Sequence, residues 1–551
     1  MEFDALFHNG VIATGDPAHP AATRLAVHGG RIIALDDEIV GRPRQSIDLH
    51  GARVLPGFHD AHYHLSLTGA RLAALDLRPS AVTTLDELYR ALGEYASGLA
   101  PDAWVKASGY DQNVLGAHPT AEGIDAVVGG RPASVEHVSG HMLVANTAAF
   151  ARAGFADRIG VPEVAGGHVE RDASGRASGL LQERAQEIIN AVTRPLALEE
   201  VQRNLQLASD QAVAYGLTSL TEPGIGAPEM IGNTQVDLHS YQVAVEAGVI
   251  RPRMTVMPYI STLHDITGTR EPDWFGIDLG IRTGFGDDRL SIGPVKIVSD
   301  GSLIGKSAAM HHCYHGEPEN AGFMLVGPEQ LRQQIIGAHA AGWTVATHAI
   351  GDSAVDHVLD AVAEAQQRYP RPGVRHRIEH FAVASDAQVA RAAELGVIPV
   401  PQGTFISDFG DGMSAALGEE RTATCYRVAS LLAAGIVVPG STDSPVSDGN
   451  PLRSIHDMVN RLTASGRPFA PEERVSIEDA VRAYTYGSAY AVGKEDRVGT
   501  LAAGMLADFV VLSDDIFAVD SAAIKDITVT GTVIGGEVVY DAGAFGKEAA
   551  Q

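Results

Sequence analysis

The chain has 551 residues, of which 45% are hydrophobic and 20% charged, a composition typical of a globular protein with a large core. Its formal net charge of −27 argues against a nucleic-acid partner and against binding to an anionic membrane surface. Only Cys313 and Cys425 are present, and neither a signal-peptide pattern nor a membrane-length apolar run is found. These features argue against a disulfide framework and a membrane span and predict a cytoplasmic protein.

Both ends of the chain have the pattern of short β-strands. Residues 3–55 alternate apolar segments with turns, and Asn9-Gly10 is typical of a tight β-hairpin. Residues 498–541 return to short apolar segments around Gly535-Gly536. The two ends therefore predict one small composite β-sandwich domain, built from residues 1–55 and 497–551.

A pair of histidines follows the apolar segment 52–55 and the turn at Pro56-Gly57. If the backbone is extended there, His62 and His64 point to the same side, because strand side chains repeat every second residue. Two adjacent imidazoles are suitable ligands for zinc. The alternative is two ordinary surface histidines, and His-x-His alone does not decide between these readings.

The stretch between His64 and Leu217 is too long for a structureless loop. Residues 84–99 and 198–215 have helical patterns, and 102–108 and 131–137 have extended ones. We therefore predict that residues 67–200 form an inserted subdomain over the mouth of the main domain.

From about residue 205 the chain repeats one pattern, in which an apolar-periodic helix ends at a glycine and a short apolar strand follows. Together with residues 52–55, this gives strand candidates at 217–220, 254–257, 292–298, 343–348, 374–380, 397–400 and 436–438. Eight alternating units predict an α/β fold, a (β/α)8 TIM-type barrel spanning residues 56–496. An open doubly wound sheet is the alternative, but no Gly-rich phosphate-binding fingerprint follows the first strand.

Residues able to bind metal follow several of these strands, at the end where barrel enzymes place their active sites. Besides His62 and His64, they are Lys296, His348, His380 and Asp443. A lysine in an apolar strand is costly unless it is paired or neutralised, so Lys296 is either in a salt bridge or carbamylated to a carboxylate that bridges two cations. Singly, His348 or His380 would be an ordinary core histidine; together at strand ends they predict a metal site.

The combined motifs resemble the amidohydrolase superfamily, and within it the amidohydrolase-3 branch of YtcJ-like and N-substituted formamide deformylase-like hydrolases. The resemblance covers nearly the whole chain. Its motifs are residues 56–64 (PGFHDAHYH), 295–297 (VKI), 300–303 (DGSL), 347–352 (THAIGD), 377–380 (RIEH), 441–446 (STDSPV) and 499–510 (GTLAAGMLADFV).

The resemblance implies a metal-dependent hydrolase that cleaves a non-peptide carbon–nitrogen bond, such as that of an amide, a formamide or a cyclic amide. One or two Zn²⁺ ions are expected, with His62, His64 and Asp443 at one ion, His348 and His380 at a second, and carboxylated Lys296 between them. A metal-bound hydroxide would attack the carbonyl, and Asp443 would be the general acid and base. Glu379 would either support a ligand or point away. The alternatives are an isomerase or decarboxylase with a similar site and a metal-binding protein without turnover.

The resemblance also implies contacts with a small-molecule substrate, and it leaves a homodimer open. The residues concerned are Asp111, His141, Ser302 and Gln402. His141 would reach the substrate carbonyl, or else fix a loop. The cluster at residues 311–315 (HHCYH) lies in a loop rich in Gly and Pro, so we expect solvated or substrate-facing histidines there rather than another metal site.

Overall fold

The computed structural model describes residues 2–79, 81–138, 140, 142–164, 167–228, 233–267 and 274–545. It divides into two compact units, one of residues 1–65 and 209–551 and the other of residues 66–208. Both units are α/β, and their sheets are partly parallel and partly antiparallel. Every helix in the described ranges is too short or too polar to cross a lipid bilayer.

Strands from both chain ends pair in the larger unit. One sheet contains, in spatial order, Glu537–Asp541, Val529–Ile534, Phe509–Leu512, Arg53–Pro56, Val11–Ala13 and Ala21–Ala22. A second contains Arg31–Leu35, Leu25–His28, Glu2–His8 and Arg42–Asp48. The two sheets share an apolar core, in which Phe7 packs edge-on against Phe509 with ring centroids 4.8 Å apart.

The predicted hairpin at Asn9-Gly10 is wrong. Asn9 does take the left-handed conformation, with φ 58°, that a tight turn requires. However, the strands on either side of it, Glu2–His8 and Val11–Ala13, belong to different sheets and do not pair with each other. The chain therefore does bend at Asn9, as the sequence predicts. The sheet to which each flanking strand belongs is determined by its pairing with strands elsewhere in the chain.

The remaining strands of the larger unit include two sheets of four parallel strands each. The first sheet contains Leu290–Ile292, Arg253–Pro258, Leu217–Ile225 and Phe58–Asp60. The second contains Val295–Val298, Val345–Ala349, Arg377–His380 and Ile398–Val400. A separate two-stranded sheet contains His264–Ile266 and Trp274–Gly276.

Three predicted strands need correction. Arg53–Pro56 pairs antiparallel with Phe509–Leu512, and the parallel strand begins only after Gly57, at Phe58–Asp60. Glycine is needed at position 57 because it has no Cβ atom, and a Cβ there would lie only 2.2 Å from the hydroxyl oxygen of Thr218. The candidate at 292–298 is two strands in two sheets, and residues 436–438 form no assigned strand.

Helices connect the parallel strands, as the alternating pattern predicts. Those of the larger unit are Asp237–Glu246, Pro328–Ala340, Asp352–Arg368, Asp386–Leu395, Phe405–Leu417, Glu419–Thr422, Val428–Ala433, Pro451–Asn460, Ile477–Arg482 and Ser488–Ala491, with a π-helical turn at Ala483–Gly487. Gly396 ends one of them in the left-handed conformation, with φ 65°.

The smaller unit is built on its own mixed sheet. In spatial order its strands are Gly167–Arg171, Ala177–Glu183, Met142–Ala145, Ala133–His137, Val105–Tyr110 and Leu75–Asp76. Its helices are Leu85–Ser97, Gln112–Leu115, Ala121–Asp125, Thr147–Arg152 and Glu187–Thr193; Leu65–Ala73 and Leu198–Ala214 run across its boundaries in sequence. Thr84 and Glu87 form a capping box at the start of the longest internal helix.

Candidate metal centre

His62, His64 and Asp443 meet in the larger unit. One ligand atom from each of the three lies within 4.8 Å of the others, and all three residues are buried. Asp443 Oδ1 is 3.3 Å from His62 Nε2 and 3.2 Å from His64 Nε2. Burial disfavours ionisation of Asp443, but His62 and His64 hold its pKa well below its ordinary value. The carboxylate is therefore an anion facing two imidazoles.

His62 is oriented from behind by Glu379. The Nδ1 atom of His62 contacts a carboxylate oxygen of Glu379, and Arg377 donates hydrogen bonds of 2.8 Å to both oxygens of that carboxylate. Burial disfavours the Glu379 anion, but the Arg377 guanidinium and His62 hold its pKa far below its usual range. This arrangement makes Nδ1 the protonated nitrogen and turns Nε2 toward Asp443.

His64 has a matching carboxylate on the neighbouring strand. Glu222 Oε1 lies 3.4 Å from His64 Nδ1, while its Oε2 accepts hydrogen bonds from Leu65 N at 2.6 Å and from the Tyr241 hydroxyl at 2.7 Å. Burial disfavours protonation of His64, but its contacts with Asp443 and Glu222 raise its pKa to about 9. The sequence interpretation missed Glu222, although a carboxylate in the apolar strand Leu217–Ile225 is an available signal.

His348 and His380 lie next to this cluster. Their ring centroids are 4.5 Å apart, and His380 is 5.2 Å from His62. The Nδ1 atom of His380 is hydrogen-bonded to Gln402 Oε1 at 2.7 Å, and His348 Nε2 lies 3.1 Å from the Gly301 carbonyl. Burial lowers the pKa of His380 to about 4 and that of His348 well below its ordinary value, so both are neutral imidazoles able to bind a cation.

Lys296 lies on the strand beside His348. It is opposite Ala346 in the register, and Val298 of the same strand is opposite His348. Burial lowers the pKa of Lys296 to about 8, partly offset by the negative charges of Glu379 and Asp443. Within the described ranges no carboxylate forms an ion pair with Lys296, so the direct salt bridge considered for it is not seen there.

The buried carboxylate of Asp60 joins the segments that carry the cluster, and two residues of the centre have backbone conformations that are costly for non-glycine residues. His380 and Asp443 have φ values of 72° and 60°, in the left-handed region that costs non-glycine residues free energy. Asp60 accepts a hydrogen bond of 2.9 Å from His62 N and one of 2.6 Å from the Thr442 hydroxyl. The two segments that carry the His62, His64 and Asp443 cluster are thereby fastened to each other.

The residues present fit a divalent cation of the zinc type. His62 Nε2 is buried and has no hydrogen-bond partner among the described residues, yet it faces a carboxylate oxygen. A cation held between imidazole nitrogens and a carboxylate would supply the missing partner. Neutral imidazole and carboxylate are the ligands that such ions prefer, and binding would displace the proton that His64 holds in the absence of a cation.

The predicted substrate residues occupy different places. Gln402 is buried, and its amide nitrogen donates to Val400 O and the Ser441 hydroxyl, so it orients His380. The Ser302 hydroxyl accepts from Gly305 N at 3.1 Å within its own loop. Asp111 belongs to the smaller unit, where it caps a short helix by accepting from Asn113 N. His141 lies outside the described residues.

The histidine cluster at residues 311–315 does not assemble into a second centre among the described residues. His311 pairs with Asp356 at 2.8 Å, and the Cys313 thiol donates to the Pro318 carbonyl. Arg421 donates to the carbonyls of His312 and Cys313. These contacts are those of a loop fastened to its neighbours.

Comparisons with known proteins place these motifs in one family. Residues 45–540 match the model of the amidohydrolase family. The chain is 31% identical over 98% of its length to Protein LONG AFTER FAR-RED 3 of Arabidopsis thaliana, covering 91% of that protein. The chain is 29% identical to putative amidohydrolase YtcJ of Bacillus subtilis, over 92% of this chain and 92% of that protein. It is 28% identical to N-substituted formamide deformylase of Arthrobacter pascens, over 98% of this chain and 98% of that protein.

A solved structure agrees with these relatives. An uncharacterized metal-dependent hydrolase from Pyrococcus furiosus superposes with a TM-score of 0.74 at 26% identity, over 93% of this chain and 99% of the other. The family model and the relatives confirm the resemblance noted in the sequence, and the solved structure has the same metal-dependent hydrolase fold. The chain belongs to the amidohydrolase family.

Proposed function

We propose that this amidohydrolase-family protein is a metal-dependent hydrolase that cleaves the carbon–nitrogen bond of an amide, a formamide or a cyclic amide. The observation that carries the proposal is the buried cluster of His62, His64 and Asp443, in which a nitrogen without a partner faces a carboxylate. The same carboxylate is held as an anion by His62 and His64, so it could accept a proton during turnover, which a binding protein would not need.

The proposed mechanism assigns a task to each side chain. One or two zinc-type cations, when bound, would polarise the scissile carbonyl and lower the pKa of water to near neutrality. His62 and His64 would hold the cation, with their rings fixed by Glu379 and Glu222. Asp443 enters as an anion, so it can take the proton of the attacking water and pass it to the leaving nitrogen.

Lys296 is proposed to carry a carboxylate added by carbon dioxide. Only a neutral amine reacts with carbon dioxide, and a pKa of about 8 leaves a substantial neutral fraction near pH 7.5. The modified side chain would supply a carboxylate ligand in addition to those of the His62 and His64 cluster and the His348 and His380 pair, and this larger ligand set could hold two cations.

We also propose that the two parallel sheets close into one (β/α)8 barrel. On one side an isolated parallel bridge joins Tyr259, after the strand Arg253–Pro258, to Lys296. On the other, Ser441 donates to Pro401 O at 2.9 Å, and Ala61 N donates to Gly440 O at 3.0 Å. Residues 1–55 and 497–551 would be its β-domain, and residues 67–200 its insertion.

The decisive experiment combines elemental analysis with a substrate panel. Two zinc-type ions per chain together with hydrolysis of an N-acyl amine, formamide, cyclic amide or carbamate would support the proposal. One ion would favour a mononuclear hydrolase, with Lys296 in a structural role. Absence of tightly held metal after reconstitution would favour a binding protein, and conversion without cleavage of the carbon–nitrogen bond would favour an isomerase or decarboxylase.

A further inference from the structure

An apolar helix face leads from the candidate metal centre to the surface. At the start of the helix Phe405–Leu417, the ring of Phe405 stacks on His380 with centroids 6.3 Å apart and planes 20° apart. Phe409, one turn further, packs edge-on against Phe405 at 5.0 Å. Positions separated by three or four residues share a helix face, so Gly412 continues it. Along this face Phe405 is buried, Phe409 half-buried and Gly412 exposed.

Ile304 borders the same face from another loop. A Cβ placed on Gly412 would lie 3.5 Å from Ile304 Cγ2, and Ile304 is 42% exposed. Its loop is fastened to the centre, because the carbonyl of Gly301 lies 3.1 Å from His348 Nε2. We call Phe405, Phe409, Gly412 and Ile304 the apolar wall; it begins at His380 and ends in solvent.

The acidic residues of this helix are paired with arginines. Asp408 pairs with Arg453, and Asp411 pairs with Arg467 at 2.7 Å. The start of the helix is also tied to the segment of Asp443, because the hydroxyls of Thr404 and Ser447 are 2.6 Å apart and Ser447 donates to the Thr442 carbonyl. The apolar wall therefore has a fixed position relative to the proposed catalytic carboxylate.

We propose that the apolar wall binds an apolar substituent of the substrate, an aliphatic chain or an aromatic ring attached to the scissile amide. Phe409 and Ile304 would then be specificity-determining residues. The inference rests on the proposed hydrolase function and adds the substrate class to it. Burial of one methylene against such a wall increases kcat/KM by about fourfold.

The test uses the full-length, metal-loaded protein and a series of N-alkyl formamides from methyl to hexyl, with N-benzylformamide and an N-carboxyalkyl analogue. We expect kcat/KM to rise with chain length in the wild type and the carboxylate to be the poorest substrate. In Phe409→Ser and Ile304→Ser the ratio of the hexyl to the methyl value should fall at least about tenfold, since two or more methylenes lose their contact. Metal content should stay at the wild-type value.

A matched control lies in the same loop as Ile304. Phe323 is 57% exposed and is not part of the apolar wall, so Phe323→Ser should leave the hexyl-to-methyl ratio unchanged. If circular dichroism shows that Phe409→Ser does not fold, Phe409→Leu and Ile304→Ser still change the apolar surface of the wall. An unchanged ratio in the folded wall variants, or an equal loss of activity for every chain length, would overturn the proposal.

Failure of the hydrolase function is distinguishable from failure of the apolar wall. If neither this series nor the panel of N-acyl amines, cyclic amides and carbamates is hydrolysed, the proposed function is wrong, but binding of the formamide series can still be measured by titration calorimetry without turnover. A Kd that falls with chain length in the wild type and not in Phe409→Ser would support the wall. A Kd independent of chain length in the wild type would overturn it even if hydrolysis occurs.

Discussion

Two groups of buried histidines in the larger unit differ in what their ring nitrogens meet. At the metal centre, His62 and His64 each have one nitrogen facing a supporting carboxylate and the other facing Asp443. The second group is the pair His339 and His376, whose Nδ1 and Nε2 atoms are 2.8 Å apart. Both groups are buried, so burial alone does not distinguish a metal site from a structural histidine pair.

The His339 and His376 pair has every ring nitrogen engaged. Val345 N donates to His376 Nδ1 at 3.1 Å, and His339 Nε2 is 2.7 Å from the Tyr369 carbonyl. Burial lowers the pKa of both, that of His376 to about 3, so the pair is neutral. The candidate metal centre therefore differs in having a ring nitrogen, His62 Nε2, that lacks a hydrogen-bond partner among the described residues and faces a carboxylate.

Replacing Asp443 by asparagine should have the largest effect. The amide keeps the size of the side chain but removes its charge and its ability to accept a proton, so kcat/KM should fall at least about 1000-fold. The amide should also bind the cation more weakly, measurable as lower zinc content by elemental analysis. The matched control Asp411→Asn, which removes a carboxylate that pairs with Arg467 and accepts from Ser465 away from the centre, should keep activity and metal. Wild-type turnover in Asp443→Asn would exclude its proposed role.

Replacing Lys296 by methionine tests whether the lysine belongs to the centre or to the core. Methionine fills a similar apolar volume but cannot be carboxylated, so a bridged pair of ions should drop from two per chain to one. We expect kcat/KM to fall about 100-fold. Lys306→Met is the control, because Lys306 pairs with Glu317 outside the centre. Full metal content in Lys296→Met would show that the lysine does not bridge.

Replacing Glu222 by glutamine should weaken metal binding without removing a ligand. The amide oxygen can still accept from Leu65 N and Tyr241, but the charge that supports His64 is lost. Loss of such a supporting carboxylate typically reduces metal affinity 10–100-fold, which a chelator competition measures. Tyr241→Phe removes one hydrogen bond to Glu222 but keeps its charge, and it should have the smaller effect. Equal affinities in Glu222→Gln and the wild type would contradict this role.

The sequence indicated six candidate ligands but only part of what supports them, since it offered Glu379 as one of two alternatives and did not indicate Glu222. His62, His64, Lys296, His348, His380 and Asp443 could be found because each follows or lies in an apolar strand. The position of Glu222 in the strand Leu217–Ile225 indicates a buried carboxylate, but its partner His64 is 158 residues away in the chain, and no local pattern indicates that pairing.

Glu379 shows a second limit of strand periodicity. Adjacent residues of an extended strand face opposite sides, so the sequence left open whether Glu379 supports a ligand or points away from His380. His380 has φ 72°, which ends the extended alternation at that residue and lets both side chains contact His62. The sheet to which a strand belongs also depends on tertiary contacts, since Arg53–Pro56 pairs with a strand near the other end of the chain. Local patterns do not contain that information.

Mild acid should destabilise the protein through the His339 and His376 pair. The pKa of His376 in the folded state, about 3, lies below the value of 6.5 for an unfolded histidine. The unfolded chain therefore binds more protons as the pH falls, and the stabilising contribution, complete above pH 6.5, is lost progressively toward pH 3. Between pH 7 and pH 5.5 the loss in the free energy of unfolding should be about 1 kcal/mol.

His376→Gln has no titrating group there, so urea unfolding should show a pH dependence smaller by that amount than in the wild type. The metal centre is common to both proteins and cancels in this difference. An unchanged pH dependence would mean that His376 is not the neutral, fully bonded histidine that sets this pair apart from His62 and His64.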